Sequence, residues 1–336
     1  MRVAIVCNLD DEGVINRFGQ ARPESEEPEG CKALVAALQK GGHDTLLCEG
    51  DKRLLATLER FMPPDLRHIP SGIVFNYAGG IQGEARSAHL PAMLEMAGVP
   101  YTGSGPLGHG IANDKVIAKQ IMRANGIPTP NFRVMRHGTE STGDLRFPVV
   151  VKPRREDSSY GLQLIHEPTQ LRQAVEAVVG EFAQDALVEE YIDGREIAVA
   201  LLGNDELEVL PLVEQEFGNT ETRLYTWEAK HHGVGSPEKI CPAQIGSDLA
   251  TVIRDISAAT FRACLCRDLA RVDLRLDRSG KPFVLEINAN QNLVAGSFSV
   301  AAETGGYSFS RLVHRILDLA QKRYFGSAIL PSALRC

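Results

Sequence analysis

Arg271-Val272-Asp273 and, thirteen residues past that aspartate, Glu286-Ile287-Asn288 are the groups of this chain best placed to do chemistry. Both pieces read as strands, with Asp277-Arg278-Ser279-Gly280 as the turn between them. Side chains alternate along a strand, so Arg271 and Asp273 share one face, and Glu286 and Asn288 share one face of the partner. If those faces coincide, two carboxylates, an amide oxygen and a guanidinium meet in a small area. Oxygen ligands of this kind suit Mg²⁺, which also takes phosphate oxygens and water. Metal-bound phosphate chemistry is the expectation, against the plain alternative of a hairpin with its charges in water.

Three upstream segments favour the first reading. Val149-Val150-Val151-Lys152-Pro153 puts a lysine at the exit of an apolar strand, where it acts as a compact point charge for phosphate. Arg154 to Gly161 follows with mixed charges, Ser158, Ser159 and a glycine, as a flap over phosphates would. It is not a Gly-x4-Gly-Lys-Ser/Thr loop, and none occurs elsewhere. Leu187-Val188-Glu189-Glu190-Tyr191-Ile192, with Glu196 beyond, offers what a nucleoside needs: apolar walls, backbone edges and a carboxylate near the ribose hydroxyls. Taken singly, the 149–161 segment reads as a surface hairpin and the 187–196 segment as solvated strand-end charges.

The elements that must hold these groups are legible from periodicity. Val3 to Cys7, Asp44 to Cys48 and Gly72 to Asn76 read as strands, alternating with helices over Cys31 to Lys40 and Leu54 to Phe61. That alternation implies a doubly wound parallel sheet, with ligands at its carboxyl ends near Asn8 and Asn76–Gly80. Further on, a helix is expected over Asp114–Asn125. Strands are expected over Phe147–Lys152, Gln163–His166, Ala186–Tyr191 and, as an antiparallel pair, Glu196–Leu202 and Glu208–Val213. Helices are expected over Thr169–Val179, Leu249–Cys264 and Phe309–Tyr324. The polar stretch Asp10 to Glu29 reads as a long loop.

Composition bounds the rest. The 336 residues suffice for two or three domains, and a net charge of −7 with no basic run argues against a nucleic-acid binder. No apolar run is long enough for a bilayer span and no signal peptide is read at the N-terminus, so no membrane association is expected. The seven cysteines are scattered and odd in number, which implies reduced thiols and a cytoplasmic protein.

Together these segments resemble the ATP-grasp superfamily and, within it, the D-alanine–D-alanine ligases. The resemblance runs from about Ile73 to about Val313. Phe75 to Glu84 looks like that family's Phe-Asn-x-x-His-Gly-x-x-Gly-Glu. Pro100 to Gly105 and Asn113-Asp114-Lys115 with Lys119 match the next segment, and Val151 to Gly161 matches the phosphate flap. Glu189 and Glu196 match the adenosine-side carboxylates. Glu228-Ala229-Lys230 and Cys241-Pro242-Ala243 match a further segment. Arg271, Asp273, Glu286 and Asn288 match the metal and phosphate centre.

The resemblance implies an ADP-forming carboxylate–amine ligase that works through an acyl phosphate. It implies an α/β (α+β ATP-grasp) fold with an N-terminal Rossmann-like domain over 1–101, a small lobe over 102–188, a large catalytic lobe over 189–325 and a tail over 326–336. Lys115 and Lys152 would hold ATP phosphates, with Glu189, Glu190, Ile192 and Glu196 around the nucleoside. Lys230 would approach the γ-phosphate, Ser158 would belong to the flap, and Arg271 would face the acyl phosphate. Asp273, Glu286 and Asn288 would hold two Mg²⁺ ions, with Mn²⁺ as a substitute and Glu286 bridging. Small amino-acid-like substrates and a homodimer are implied as partners.

The departures cluster where amino acids bind. The family's His-Ser-x-Glu is Cys7-Asn8-Leu9-Asp10 here, and Glu24, Glu26, Glu27 and Glu29 stand as alternatives for the missing glutamate. Gly79 replaces a histidine at the acyl-donor side, and His231 replaces a tyrosine. Thr-x-Pro-Gly-Met-Thr becomes Ala289-Asn290-Gln291-Asn292-Leu293-Val294. Asn292 thus stands where a glycine N–H helps form the oxyanion hole, and asparagine tolerates unusual backbone angles there. Ser297 still aligns with the serine that receives the second substrate's carboxylate. The expectation is a ligase of altered amino-acid specificity. A genuine D-alanine–D-alanine ligase and a nucleotide-binding relative without catalysis are the two rivals.

Overall fold

The computed structural model describes residues 1–10, 14–16, 28–64, 71–218, 223–225, 227 and 236–326. Strands β1 (Arg2–Cys7), β2 (Asp44–Glu49) and β3 (Gly72–Asn76) form a parallel sheet in the order β2-β1-β3. Alternation along β1 decides what covers it. Val3, Ile5 and Cys7 face α1 (Pro28–Lys40) on one side, while Ala4 and Val6 face α2 (Leu54–Phe61) and α3 (Arg86–Met96) on the other. Helices on both faces of a parallel sheet are the doubly wound arrangement.

Next come α4 (Pro106–Asn113) and α5 (Lys115–Ala124), the latter capped by the Asp114 carboxylate accepting from the Val116 and Ile117 N–H groups. Strands β4 (Phe132–Met135), β5 (Val149–Pro153), β6 (Gln163–Ile165) and β7 (Ala186–Glu190) make a four-stranded antiparallel sheet ordered β4-β7-β5-β6. Its inner face packs on α6 (Pro168–Phe182) through Val149, Val151, Val188, Leu171, Val175 and Val178.

A larger antiparallel sheet carries the site. Its strands are β8 (Gly194–Gly203), β9 (Leu207–Val209), β10 (Val213–Glu216), β11 (Glu238–Ile240), β12 (Asp268–Asp277) and β13 (Pro282–Asn288). They run β11-β10-β8-β12-β13, with β9 on the edge of β8. The single strand expected over Glu208–Val213 is in fact two, β9 and β10, interrupted at Leu210–Leu212. Pro211, which cannot donate to a ladder, lies in that break. One face of the sheet, with Ile197, Val199, Leu201, Val272, Leu274 and Leu276, is buried against α5 and α7 (Ser247–Ala263). Helices α8 (Ser297–Thr304) and α9 (Phe309–Phe325) complete the chain, and α9 packs back on α1. The tail beyond 326 lies outside the described residues.

Candidate active site

Strand register assembles the site. Arg271 stands opposite Asn288 and Asp273 opposite Glu286 across β12 and β13, so the two faces do coincide. On the other flank of β12, Arg271 faces Ala200, Asp273 faces Ala198 and Arg275 faces Glu196. Strand β10 extends two of these rows, with Val213 opposite Ala198 and Gln215 opposite Glu196. The result is three parallel rows on one sheet face, spaced about 7 Å apart by the strand repeat. Two alanines floor the middle of the lattice and leave room above it.

That face floors a cleft of about 870 Å³. Arg271, Ser158, Lys115, Lys152, Glu189, Glu190, Ile192, Glu196, Asp273, Glu286, Asn288, Ser297 and Asn292 all line it. Lys230, Glu228, His231, Glu24, Glu26 and Glu27 lie outside the described residues, and Glu29 is exposed at the start of α1.

The phosphate-side groups are engaged with one another. Arg271 donates from Nε and Nη2 to the two oxygens of Asp273, each at 2.7 Å, and the Asn288 amide adds a bond of 3.0 Å to the same carboxylate. Lys115 lies 3.7 Å from Glu286 and donates to the Glu156 carbonyl at 2.5 Å. Two carboxylates and an amide oxygen on adjacent strands, with basic groups around them, are a donor set that fits Mg²⁺ holding phosphate oxygens and water.

Glu189 is sealed between two ammonium groups. It lies 2.7 Å from Lys119 and 2.5 Å from Lys152, and all three side chains are almost wholly buried. Burial alone pushes the Glu189 carboxyl up, but the two lysines outweigh it and hold it below the ordinary value. Burial pulls Lys119 down to about 8 against the pull of Glu189. Lys152, equally buried, is held above its ordinary value by Glu189 and Glu286. Glu190, one residue along, points to the other face. Its carboxylate takes the guanidinium of Arg146 at 2.8 Å, which leaves its backbone as the part suited to a base.

The first half of the 154–161 loop is tied down. Asp114 accepts from Arg154 at 2.7 Å and Arg155 at 3.1 Å, and Arg86 donates to Asp157 at 2.9 Å. Ser158 and Ser159 both have left-handed φ, 56° and 61°, which costs free energy in non-glycine residues and persists where surroundings enforce it.

At the substrate end, the Ser297 hydroxyl accepts from Gln215 Nε2 at 2.7 Å. The Asn292 amide oxygen accepts from the Val294 and Ala295 N–H groups, an Asx turn that shapes the loop. Asn292 is not among the positive-φ residues, so its N–H is presented without the unusual backbone angle the sequence reading allowed for. The carboxyl ends of the parallel strands meet in Asn8, whose side chain bonds Glu49, Gly50 and Gly80.

Sequence reasoning missed Arg275, Gln291, His109 and Arg86. Arg275 was findable, since it continues the 271, 273, 275 alternation. Gln291, which accepts from Arg271 at 3.1 Å and donates to the Asn288 carbonyl at 2.8 Å, had no periodic signal. His109 sits in α4, which was not anticipated; it is buried and thereby lowered to about 4, so its ring is neutral.

The fold and this cleft are those of an ATP-grasp enzyme. A family model described as the C-terminus of D-ala D-ala ligase matches residues 121–318. The D-alanine–D-alanine ligase of Carboxydothermus hydrogenoformans is 35% identical over 298 residues, 85% of this chain and 91% of that protein. Protein y4sG of Sinorhizobium fredii is 65% identical over 335 residues, 98% of this chain and 100% of that one. In fold, the chain is similar to the D-alanine–D-alanine ligase of Bacillus anthracis complexed with ATP, with a TM-score of 0.74 at 21% identity, covering 96% of this chain and 98% of that one. It is also similar to the VanG D-Ala:D-Ser ligase of Enterococcus faecalis, with a TM-score of 0.71 at 20% identity, covering 95% and 99%. The chain belongs to the D-alanine–D-alanine ligase family, whose members are ATP-dependent, ADP-forming carbon–nitrogen ligases.

Proposed function

We propose that this protein joins two small amino-acid-like substrates, activating the carboxylate of one with ATP, and that its choice of amino acids differs from that of its D-alanine-using relatives. The observation that carries the reading is the three-row lattice of Glu196/Arg275, Asp273/Glu286 and Arg271/Asn288 on one cleft floor, with buried Lys152 and Lys115 at its rim. The altered loop 289–294 and the strand end at Asn8, on the amino-acid side, support the change of specificity.

The roles follow from charge and place. Lys115 and Lys152 neutralise the nucleotide phosphates; Lys230, outside the described residues, is assigned to the γ-phosphate on the family resemblance alone. Tyr191 and Ile192, with the Glu190 backbone, bed the base, Glu189 holds the two lysines, and Glu196 meets the ribose. Asp273, Glu286 and Asn288 hold Mg²⁺, which when bound supplies positive charge against the phosphates. Arg271 opposes the charge that builds on the acyl phosphate and on the tetrahedral species after amine attack, the kind of preorganised contact worth about 3–4 kcal/mol of barrier. The Asn292 N–H serves the oxyanion, Ser297 receives the acceptor's carboxylate, and the 154–161 loop with Ser158 excludes water.

We further infer a three-part division of the chain into 1–101, 102–188 and 189–325, with 326–336 as a tail. A homodimer and a cytoplasmic setting are part of the same proposal. Among the described residues no helix is long and apolar enough to cross a membrane.

A pairwise amino-acid screen for ADP formation, with mass detection of products, tests the reading. Turnover with a pair other than D-alanine with itself is expected. Phosphate release with D-alanine alone as the best substrate would make the protein an ordinary D-alanine–D-alanine ligase. ATP binding without amine-dependent ADP release across the panel would leave a non-catalytic relative.

A further inference from the structure

Among the described residues Arg275 is the largest wholly buried side chain, yet it lines the nucleotide end of the cleft. Burying a guanidinium is costly unless its donors and charge are met. Here the two terminal nitrogens, though not Nε, are met by the walls of the nucleotide end. Nη2 donates to the Gly194 carbonyl at 2.9 Å and to the Tyr191 hydroxyl at 3.4 Å, and Nη1 donates to the Arg223 carbonyl at 2.6 Å. The guanidinium carbon lies 4.8 Å from the Tyr191 ring centre. Nη1 is 3.6 Å from Glu196 Oε2, and the two residues stand directly opposite each other on β12 and β8. Nε is buried with no hydrogen-bond partner. No apolar core needs a cation at this point, because the neighbouring side chains on the opposite sheet face are aliphatic.

We infer that Arg275 is a specificity-determining positioning residue: it fixes the Glu196 carboxylate in the orientation that accepts hydrogen bonds from the ribose diol of the nucleotide. The inference rests on the nucleotide reading proposed above and names the device by which that site selects a ribonucleotide. A carboxylate on a flexible glutamate loses rotamer entropy each time it binds a diol. Pairing with a guanidinium held by two carbonyls and a tyrosine removes that loss beforehand, and offsets the repulsion of Glu196 by the incoming triphosphate. Arg275 itself touches no substrate. The fork geometry matters, since only a planar guanidinium reaches two carbonyls and a carboxylate at once.

The test compares binding of ATP and 2′,3′-dideoxyATP, in the presence of Mg²⁺, to the full chain by calorimetry, with the melting temperature recorded for each variant. Wild type is expected to bind ATP at least about 10-fold tighter than the dideoxy analogue, as hydrogen bonds to a charged group imply. Arg275→Lys keeps the charge, loses the fork, and is expected to bring that ratio to within about 2-fold by weakening ATP and leaving the analogue nearly unchanged. Glu196→Gln is expected to lower the ratio likewise, and Arg275→Lys added to it is expected to lower it no further. A merely structural arginine would weaken both nucleotides equally; an unchanged ratio in folded Arg275→Lys, or in Glu196→Gln, overturns the inference. Absence of ATP binding by the wild type would overturn the nucleotide reading itself, and a wild-type ratio near one would overturn the diol-reading role alone.

Discussion

Substituting Glu189 by glutamine removes the single anion between two buried ammonium groups while keeping shape. At pH 7 the wild-type Lys119, drawn down to about 8, still carries its proton. Its charged form then lies on the order of 1 kcal/mol below its neutral form. Without Glu189 only the Thr129 hydroxyl, 2.8 Å away, and the more distant Glu286 offset the burial of Lys119, so its charged form is disfavoured further and that share of stability falls. Lys152, which Glu189 and Glu286 hold above its ordinary value, keeps its proton and loses its shortest contact. Breaking a buried pair in this way costs about 3–5 kcal/mol in all. By pH 9 wild-type Lys119 has lost most of its charge, so the deficit shrinks by on the order of 1 kcal/mol. Urea unfolding of wild type and Glu189→Gln at the two pH values, with the m-value checked for constancy, measures both quantities. A deficit below about 1 kcal/mol at pH 7, or one that grows between pH 7 and 9, would refute this account of the lysine–glutamate–lysine cluster.

Other consequences are equally open to measurement. Lys119 has a folded pKa below its unfolded one, so between about 8 and 10.5 the unfolded chain binds more protons and this group's contribution rises with pH. Wild type should therefore gain on Lys119→Met by up to about 1.4 kcal/mol per pH unit in that window, and parallel stability curves would count against it. Glu286→Gln should lower ADP formation by at least about 100-fold with a melting temperature near that of wild type; retained turnover would remove Glu286 from the metal and phosphate centre. Gln291→Ala, which frees one side of Arg271, should cut kcat about 10-fold while leaving the KM for ATP within about 2-fold, and a change confined to KM would show Gln291 to be a nucleotide contact. Burial drives the Cys48 thiol from 9.0 up to about 11, so a disulfide reagent at pH 8 should label it about 100-fold more slowly in the native protein than after unfolding.

How much of this could be read from the chain alone depended on periodicity. The parallel strands and Leu54–Phe61 were legible because each is short, apolar and bounded by turn residues. The pairing of Arg271 and Asp273 with Asn288 and Glu286 was legible because two-residue alternation leaves one choice of face. Helices α3 and α4 were not. The first carries Pro91 inside it and the second contains Gly108 and Gly110, residues that speak against helix locally but are kept by packing between the two. His109 and Arg86, carried by those helices, were missed with them. The partners of each charge were also beyond reach. That Glu189 faces lysines while Glu190 faces Arg146 depends on what the other strands bring, and a sequence names no neighbour across a sheet.

Strand β12 presents aliphatic residues to one side and Arg271, Asp273 and Arg275 to the other. A slip of one position would drive three ions into oil and lift Val272 and Leu274 into water. The same pleat therefore audits folding and reactivity at once: a molecule that has settled in the wrong alignment is both unstable and inert. Selection for turnover alone is enough to keep that alignment, and chains that misalign are culled as folds before they can fail as enzymes.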